Sequence, residues 1–419
     1  MKASLAIDFG TTHSLVGAVT KDRVYNSLPL DPMATDPTVM RTLLYFANEK
    51  QCYYGAEALS KFIENELEGR LFRSFKAHLP SQSYLGSMVN NRPIPLDQMV
   101  GLFLLELKKR SEDFLQTKFD RVLLGRPARY SMDEVAHQLA IHRMQKAAEF
   151  AGFKEVSFLE EPVAAAYSLK RTWSTAKTVL TVDLGGGTSD FSVVKLYPGD
   201  GGKEEVLAVD GISLAGDALD ASMMQEKLAS YFGSDVIYRV PMSSNALQMP
   251  PGIHQRLCYP AHIAHLKDRD TYEFLRNTQK WALRDTDKKK LHRLFVLIDD
   301  QQIYNLFEEI ERVKRGLSDH DSETFQFPYP DIELETAISR TEFDQWSKQT
   351  LDKIMRCLDN CLAQAQLKPE NIDMVCMTGG TARVPAVRKQ LEQRFGAEKI
   401  STAALFHSVL HGLVAAAQN

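Results

Sequence analysis

TVDLGGGTSDFSVV, residues 181–194, is the stretch on which the fold turns. Apolar residues lead in through Val182 and Leu184 and lead out through Phe191, Val193 and Val194, so it reads as two strands joined by a tight turn rather than as a flexible linker. Gly185, Gly186 and Gly187 are consecutive, and three glycines in a row cost backbone entropy that needs a physical reason. A phosphate held against the main chain is one such reason, because successive N–H groups in a turn, here running on to Thr188, can cradle its oxygens. Asp183 and Asp190 put a carboxylate on either side of the turn. The pattern is not a P-loop, since GxxxxGK is missing, and it is not a dinucleotide fingerprint, since the glycines enter a strand and not a helix.

The same order occurs near the start of the chain. AIDFGTTHSLVGAV, residues 6–19, again runs apolar strand, aspartate, apolar residue, glycine, small polar residues, second strand. Asp8 ends the first strand, and Gly10, Thr11 and Thr12 form the turn, with two hydroxyls as additional donors. A carboxylate at such a strand end can hold Mg²⁺ directly or through its waters. One repeat in each half predicts two similarly built lobes, and two matching turns suit a two-jawed nucleotide site. Two unrelated β-hairpins are the plainer alternative.

Outward from these hairpins the chain alternates helical and strand patterns. Residues 53–118 read as helix-rich, including LFLLELKKRSEDFLQ (102–116). RVLLGRP (121–127) reads as a buried strand; residues 132–153 as a helix with Ser131 as N-cap and Gly152 as terminator; VSFLEEP (156–162) as a strand whose Pro162 opens another helix. Residues 295–318 read as one helical tract. DTDKKKLHR (285–293) reads as a solvated charged stretch. NIDMVCMTGGTARVPAVRKQLEQRFG (371–396) is strand, glycine loop, helix, and its Gly379, Gly380 and Arg383 suit a sugar or base edge. The final FHSVLHGLVAAAQ (406–418) reads as a packed helix.

Composition narrows the classes. With 419 residues, 44% hydrophobic, more than one core can form. A net charge of -4 with no strongly basic half argues against a general grip on nucleic acid. The five cysteines are few, odd in number and scattered, which points away from a disulfide framework and towards a reducing compartment. No signal-type apolar run and no span of about 18 apolar residues occurs, so a cytoplasmic protein without membrane association is expected. His254, Cys258, His262 and His265 lie close in sequence, but Pro260 interrupts them and scattered histidines on a loop are preferred to zinc. Cys357 and Cys361, at i,i+4, read as buried helix residues.

Five motifs in order, AIDFGTTHS, FLEEPVAAA, VDLGGGTSD, ERVKRGLS and TGGTARVP, make the chain resemble the nucleotide-binding domain of the DnaK-type heat-shock chaperones, within the actin, hexokinase and heat-shock ATPase superfamily. The resemblance runs from residue 3 to the end. It implies an α/β, actin-like ATPase fold of two lobes, each a mixed β-sheet flanked by helices (ribonuclease H-like): 1–170 with an insert at about 40–118, and 171–419 with an insert at about 217–320. It further implies ATP/ADP and Mg²⁺ as cofactors. Asp8, Asp183 and Asp190 then resemble the magnesium and water network, and Lys76 (in FRSFKAHL) the lysine that reaches the terminal phosphate. Glu161, with Asp183, is similar to the group that places the attacking water. Gly10, Thr11, Thr12 and Gly185, Gly186, Gly187, Thr188 resemble the two phosphate loops. Gly216 matches a glycine near phosphate and ribose. Glu311, Lys314, Arg315 and Ser318 resemble the helix that closes on adenosine, and Gly379, Gly380 and Arg383 the opposite side of that pocket. Two bland readings stay open: Lys76 as a solvated lysine in a basic helical run after Arg70 and Arg73, and Glu161 as a helix-start cap.

Some positions depart from the family pattern: His13, Glu160 before Glu161, LAGDALD (214–220), and no aspartate before the last helix. The family's β-sandwich peptide-binding domain and lid have no counterpart in these residues. The expected function is therefore a magnesium-dependent ATPase switch of the chaperone class, monomeric, with a protein client or co-chaperone as partner. An inert nucleotide-binding scaffold and a small-molecule kinase of the same superfamily are the alternatives.

Overall fold

The structure is a computed structural model that describes residues 3–48, 51–65, 68–89, 92–127, 129–131, 133–161, 163–164, 174–198, 204–259, 266–300, 302–401 and 407–418. Both glycine turns join antiparallel strand pairs. Ser4–Phe9 pairs with His13–Val19, placing Asp8 opposite Leu15. Lys177–Leu184 pairs with Ser189–Leu196, placing Asp183 directly opposite Asp190.

Each hairpin seeds a sheet with the same plan. In the first, the hairpin continues antiparallel to Val24–Tyr25 on one side, and on the other Ser4–Phe9 is followed by parallel Arg121–Arg126 and Glu155–Glu160. In the second, the hairpin continues antiparallel to Glu204–Ile212, and Lys177–Leu184 is followed by parallel Met374–Thr378 and Ile400–Ser401. The repeat read from the two turns is thus a repeat of whole sheets.

Strand periodicity explains how the first sheet is covered. Leu5, Ile7 and Phe9 face a core that also takes Phe103 and Leu107 of helix Leu96–Leu115 and Ala140 and Met144 of helix Glu134–Phe150. Ala6, with Leu15 and Val19, belongs to a separate core closed by Leu410, Leu413 and Val414 of the terminal helix Ser408–Ala416. The last helix of the chain therefore returns to the first sheet.

The chain divides into two compact units: residues 1–213, 354–382 and 388–419 form one, and 214–353 with 383–387 the other. Both large sheets belong to the first. The second carries helix Gly216–Met223, the helices Arg269–Trp281, Asp285–Asp299 and Ile303–Asp319, and the hairpin Ser322–Phe327 with Leu334–Ser339.

Several local expectations change. The N-cap of helix Glu134–Phe150 is Asp133, whose carboxylate accepts from Ala136 N–H at 2.8 Å; Ser131 instead accepts from Asp133 N–H at 3.1 Å, two residues too early to cap. The tract 295–318 is two helices that part after Asp299 and resume at Ile303, where the polar residues around Asp300 and Gln302 offer no face to bury. DTDKKKLHR is not simply solvated: it begins a helix, and Asp287 is fully buried against Arg284 at 2.9 Å. Residues 53–118 hold strands as well as helices, among them Arg70–Arg73, so the run before Lys76 is extended and not helical. The helix expected from Pro162 onward falls largely on residues 162 and 165–173, which lie outside the described residues. Cys357 and Cys361 are buried, as expected.

Candidate functional site

In the first unit, the two hairpin turns and two further loops converge. The first turn is tied to the strand beside it: Thr42 N–H donates to Thr12 O at 2.8 Å and Thr42 Oγ1 donates to Gly10 O at 2.9 Å. The second turn is closed by Gly185 N–H donating to Thr188 O at 3.0 Å. Thr381 of the third glycine loop donates to Gly185 O at 2.7 Å, so that loop is fastened to the second hairpin. Gly379 requires glycine: its φ is +81°, and a Cβ there would overlap the Leu184 carbonyl and come 2.9 Å from an Asp183 carboxylate oxygen. The chain at this loop thus runs directly against Asp183.

Lys76 lies in a single 3₁₀ turn, Phe75–His78, entered through left-handed Ser74 (φ 53°). It is buried, and its Nζ donates to Glu161 Oε1 at 3.0 Å. The solvated-lysine reading is therefore wrong: the adjoining strand and the packing of Phe75 draw the side chain inward. Glu161 directly follows the strand Glu155–Glu160, and neighbouring Glu160 is engaged separately, by Arg126 at 2.8 Å.

Electrostatics identify the same cluster. Burial, then Glu161, push the Asp8 carboxyl up to about 8, with Lys76 opposing. Burial and Glu161 raise Asp183 to about 6. Burial, then the facing Asp183, raise Asp190 to about 7. Burial alone would pull Lys76 down, but Glu161, Tyr130 and Asp8 outweigh it and hold the ammonium above its ordinary value. Four carboxylates around one lysine leave excess negative charge at the turns, the environment a cation would relieve. Among the described residues no three Asp, Glu, His or Cys groups form a direct metal cage. Buried carboxylates crowded at two turns are the donor chemistry that suits a hard, oxygen-bound divalent cation holding some of its own waters. The His254–Cys258 pair also forms no metal cluster among the described residues, and His262 and His265 lie outside them.

The second unit holds another group. Glu311, Lys314, Arg315 and Ser318 share one stripe of helix Ile303–Asp319, while Phe307, Ile310, Val313 and Leu317 are buried. Lys314 Nζ donates to Asp220 Oδ2 at 2.7 Å and reaches Gly216 O at 3.5 Å, at the first turn of helix Gly216–Met223. Burial raises Asp220 to about 6 against the pull of Lys314. Arg383 is exposed and falls in the second unit, while Gly379 and Gly380 fall in the first.

These motifs, in this order and on paired sheets of one plan, point to a family. The sequence profile described as Hsp70 protein matches residues 80–248 and 280–411. The chain belongs to the Hsp70 family. Its fold is the actin-like ATPase fold of that family, mixed α/β with paired sheets. A chaperone protein DnaK of Thermosipho melanesiensis is 23% identical over 402 residues, covering 94% of this chain and 55% of its own length. Heat shock 70 kDa protein 13 of Homo sapiens is 25% identical over 420 residues, covering 94% of this chain and 83% of its own length. A chaperone protein HscA homolog of Shewanella denitrificans is 24% identical over 412 residues, at 94% and 54%. The chain thus spans about half the length of the DnaK and HscA relatives. Residues 249–279, with helix Pro251–Leu257 and most of Arg269–Trp281, fall outside the Hsp70 profile match.

Sequence reading missed two members of these groups. Asp220 is the last residue of LAGDALD, and its spacing from Gly216, one helical turn, was a usable signal. Tyr130 carried no signal: it lies beyond the carboxyl end of Arg121–Arg126, the strand paired in register with the one that leads to Glu161.

Proposed function

We propose that this Hsp70-family chain is a magnesium-dependent ATPase switch of the chaperone class, acting with a protein client or co-chaperone. The observation that carries the reading is the buried Lys76–Glu161 pair, 3.0 Å apart, set among the aspartates of two glycine turns. In this reading the amides of Gly10–Thr12 and Gly185–Thr188 donate to phosphate oxygens, and Lys76 offsets charge on the terminal phosphoryl group. Glu161, assisted by Asp183, accepts a hydrogen bond from the attacking water and so aims it. Asp8, Asp183 and Asp190 would hold the hydrated metal ion. Magnesium, when bound, neutralises and orients the phosphates. By family resemblance, Glu311, Lys314, Arg315, Ser318 and Gly216 are assigned to adenosine recognition, and so, separately, are Gly379, Gly380 and Arg383.

The test is release of inorganic phosphate alongside ATP binding, with and without Mg²⁺. Removing one partner of a buried ion pair costs about 3–5 kcal/mol of stability, so Glu161→Gln, which keeps hydrogen-bonding capacity, is the cleaner variant. Wild type is expected to release phosphate only with Mg²⁺, and Glu161→Gln to bind ATP but release it about 100-fold more slowly. Tight ATP binding without release by wild type would reduce the protein to an inert scaffold. No ATP binding at all would overturn the site.

A further inference from the structure

The hydroxyl of Tyr130 is buried and has no hydrogen-bond partner among the described residues. That is costly, because a buried hydroxyl deprived of a partner gives up its hydration without a compensating hydrogen bond. The ring itself is well supported. It packs against the core beneath the first sheet, its centroid lies 6.3 Å from that of His137, and the Tyr130 N–H donates to His137 Nδ1 at 3.2 Å. The ring is thus packed in place, and the hydroxyl is left without an acceptor among the described residues.

Topology places that hydroxyl. Arg121–Arg126 and Glu155–Glu160 are adjacent parallel strands in register, Arg126 beside Glu160. Tyr130 follows the carboxyl end of one, and Glu161 that of the other, so both emerge at the same edge of the sheet. Open parallel arrangements bind ligands beyond the carboxyl ends of their strands. Lys76 pairs with Glu161 at 3.0 Å, so the ion pair lies at that same edge, and both charges act on the Tyr130 hydroxyl.

We propose that Tyr130 is a further binding residue of this site, its O–H donating to the terminal phosphoryl group of a bound nucleoside triphosphate. The inference rests on the nucleotide reading above. The hydroxyl is a neutral donor beside a cation, and it adds a directional contact that Lys76, as a point charge, does not supply. A diphosphate lacks the group that Tyr130 contacts, so the hydroxyl favours triphosphate over diphosphate.

Tyr130→Phe removes the hydroxyl and keeps the ring. ATP and ADP affinities and the melting temperature of the nucleotide-free protein are measured for wild type and variant, with Mg²⁺ present. The expected result is about a tenfold loss of ATP affinity, unchanged ADP affinity, and a nucleotide-free melting temperature equal to or above that of wild type, since an unsatisfied buried group has gone. Equal loss for ATP and ADP, or no loss for either while wild type binds ATP, would overturn the role of Tyr130 and leave the nucleotide site standing. A melting temperature several degrees lower would show that the hydroxyl has a structural partner and would also overturn it. Failure of wild type to bind either nucleotide would instead remove the reading on which the inference rests.

Discussion

Asp8 holds its proton to about pH 8 in the folded protein, whereas an unfolded aspartate releases it near 3.9. Between these values the folded state binds a proton that the unfolded state has lost, so this group's contribution to stability is present below about pH 4 and is lost as pH rises through 8. Asp190, at about 7, and Asp183, at about 6, act in the same direction over lower windows. His78, His137, His254 and His411 oppose them: burial lowers each, so they favour the folded state more as pH rises towards 6.5. The useful window is therefore pH 7 to 8, above the histidines and below the unfolded thiols, which ionise at about 8.5 while burial raises all five cysteines in the folded state. In chelator and without nucleotide, the urea midpoint of wild type is expected to fall across that window, and that of Asp8→Asn to fall less. A wild-type midpoint that stays flat or rises would contradict the raised carboxyl. Legibility at this scale was uneven. The opposition of Asp183 and Asp190 could be read from the hairpin, because the turn length sets the register. The burial of Lys76 could not, since FRSFKAHL shows a basic run and the inward turn depends on residues far along the chain.

Elements show where propensity was enough and where it failed. The strand–turn–strand units and the glycine loop at 378–385 were legible because alternating apolar residues and glycines act locally. Helix starts were less so. Ser131 and Asp133 are both competent caps, and only the position of the first bonded turn separates them. Asp133→Ala is expected to cost about 1 kcal/mol in chemical denaturation, and Ser131→Ala distinctly less. The reverse order would reassign the cap. The split of 295–318 at Asp300 was hidden because helical periodicity continues on both sides of it.

At the scale of the molecule, the terminal helix Ser408–Ala416 decides how the first sheet is closed. Leu413 is fully buried in the core shared with Ala6 and Leu15. Leu413→Ala is expected to lower stability by about 2–5 kcal/mol in chemical denaturation; a loss below about 1 kcal/mol would mean that the helix is not a structural part of that core. The sequence alone determined that two aspartate–glycine hairpins exist, that each leads a sheet, and that the motifs follow the Hsp70 order, because all of these depend on neighbours within a few residues. The tertiary structure alone decided which charges meet. The Lys76–Glu161 pair, the placing of Tyr130 beside it and the return of the last helix to the first sheet join residues 31 to several hundred positions apart, and no local pattern encodes contacts of that range.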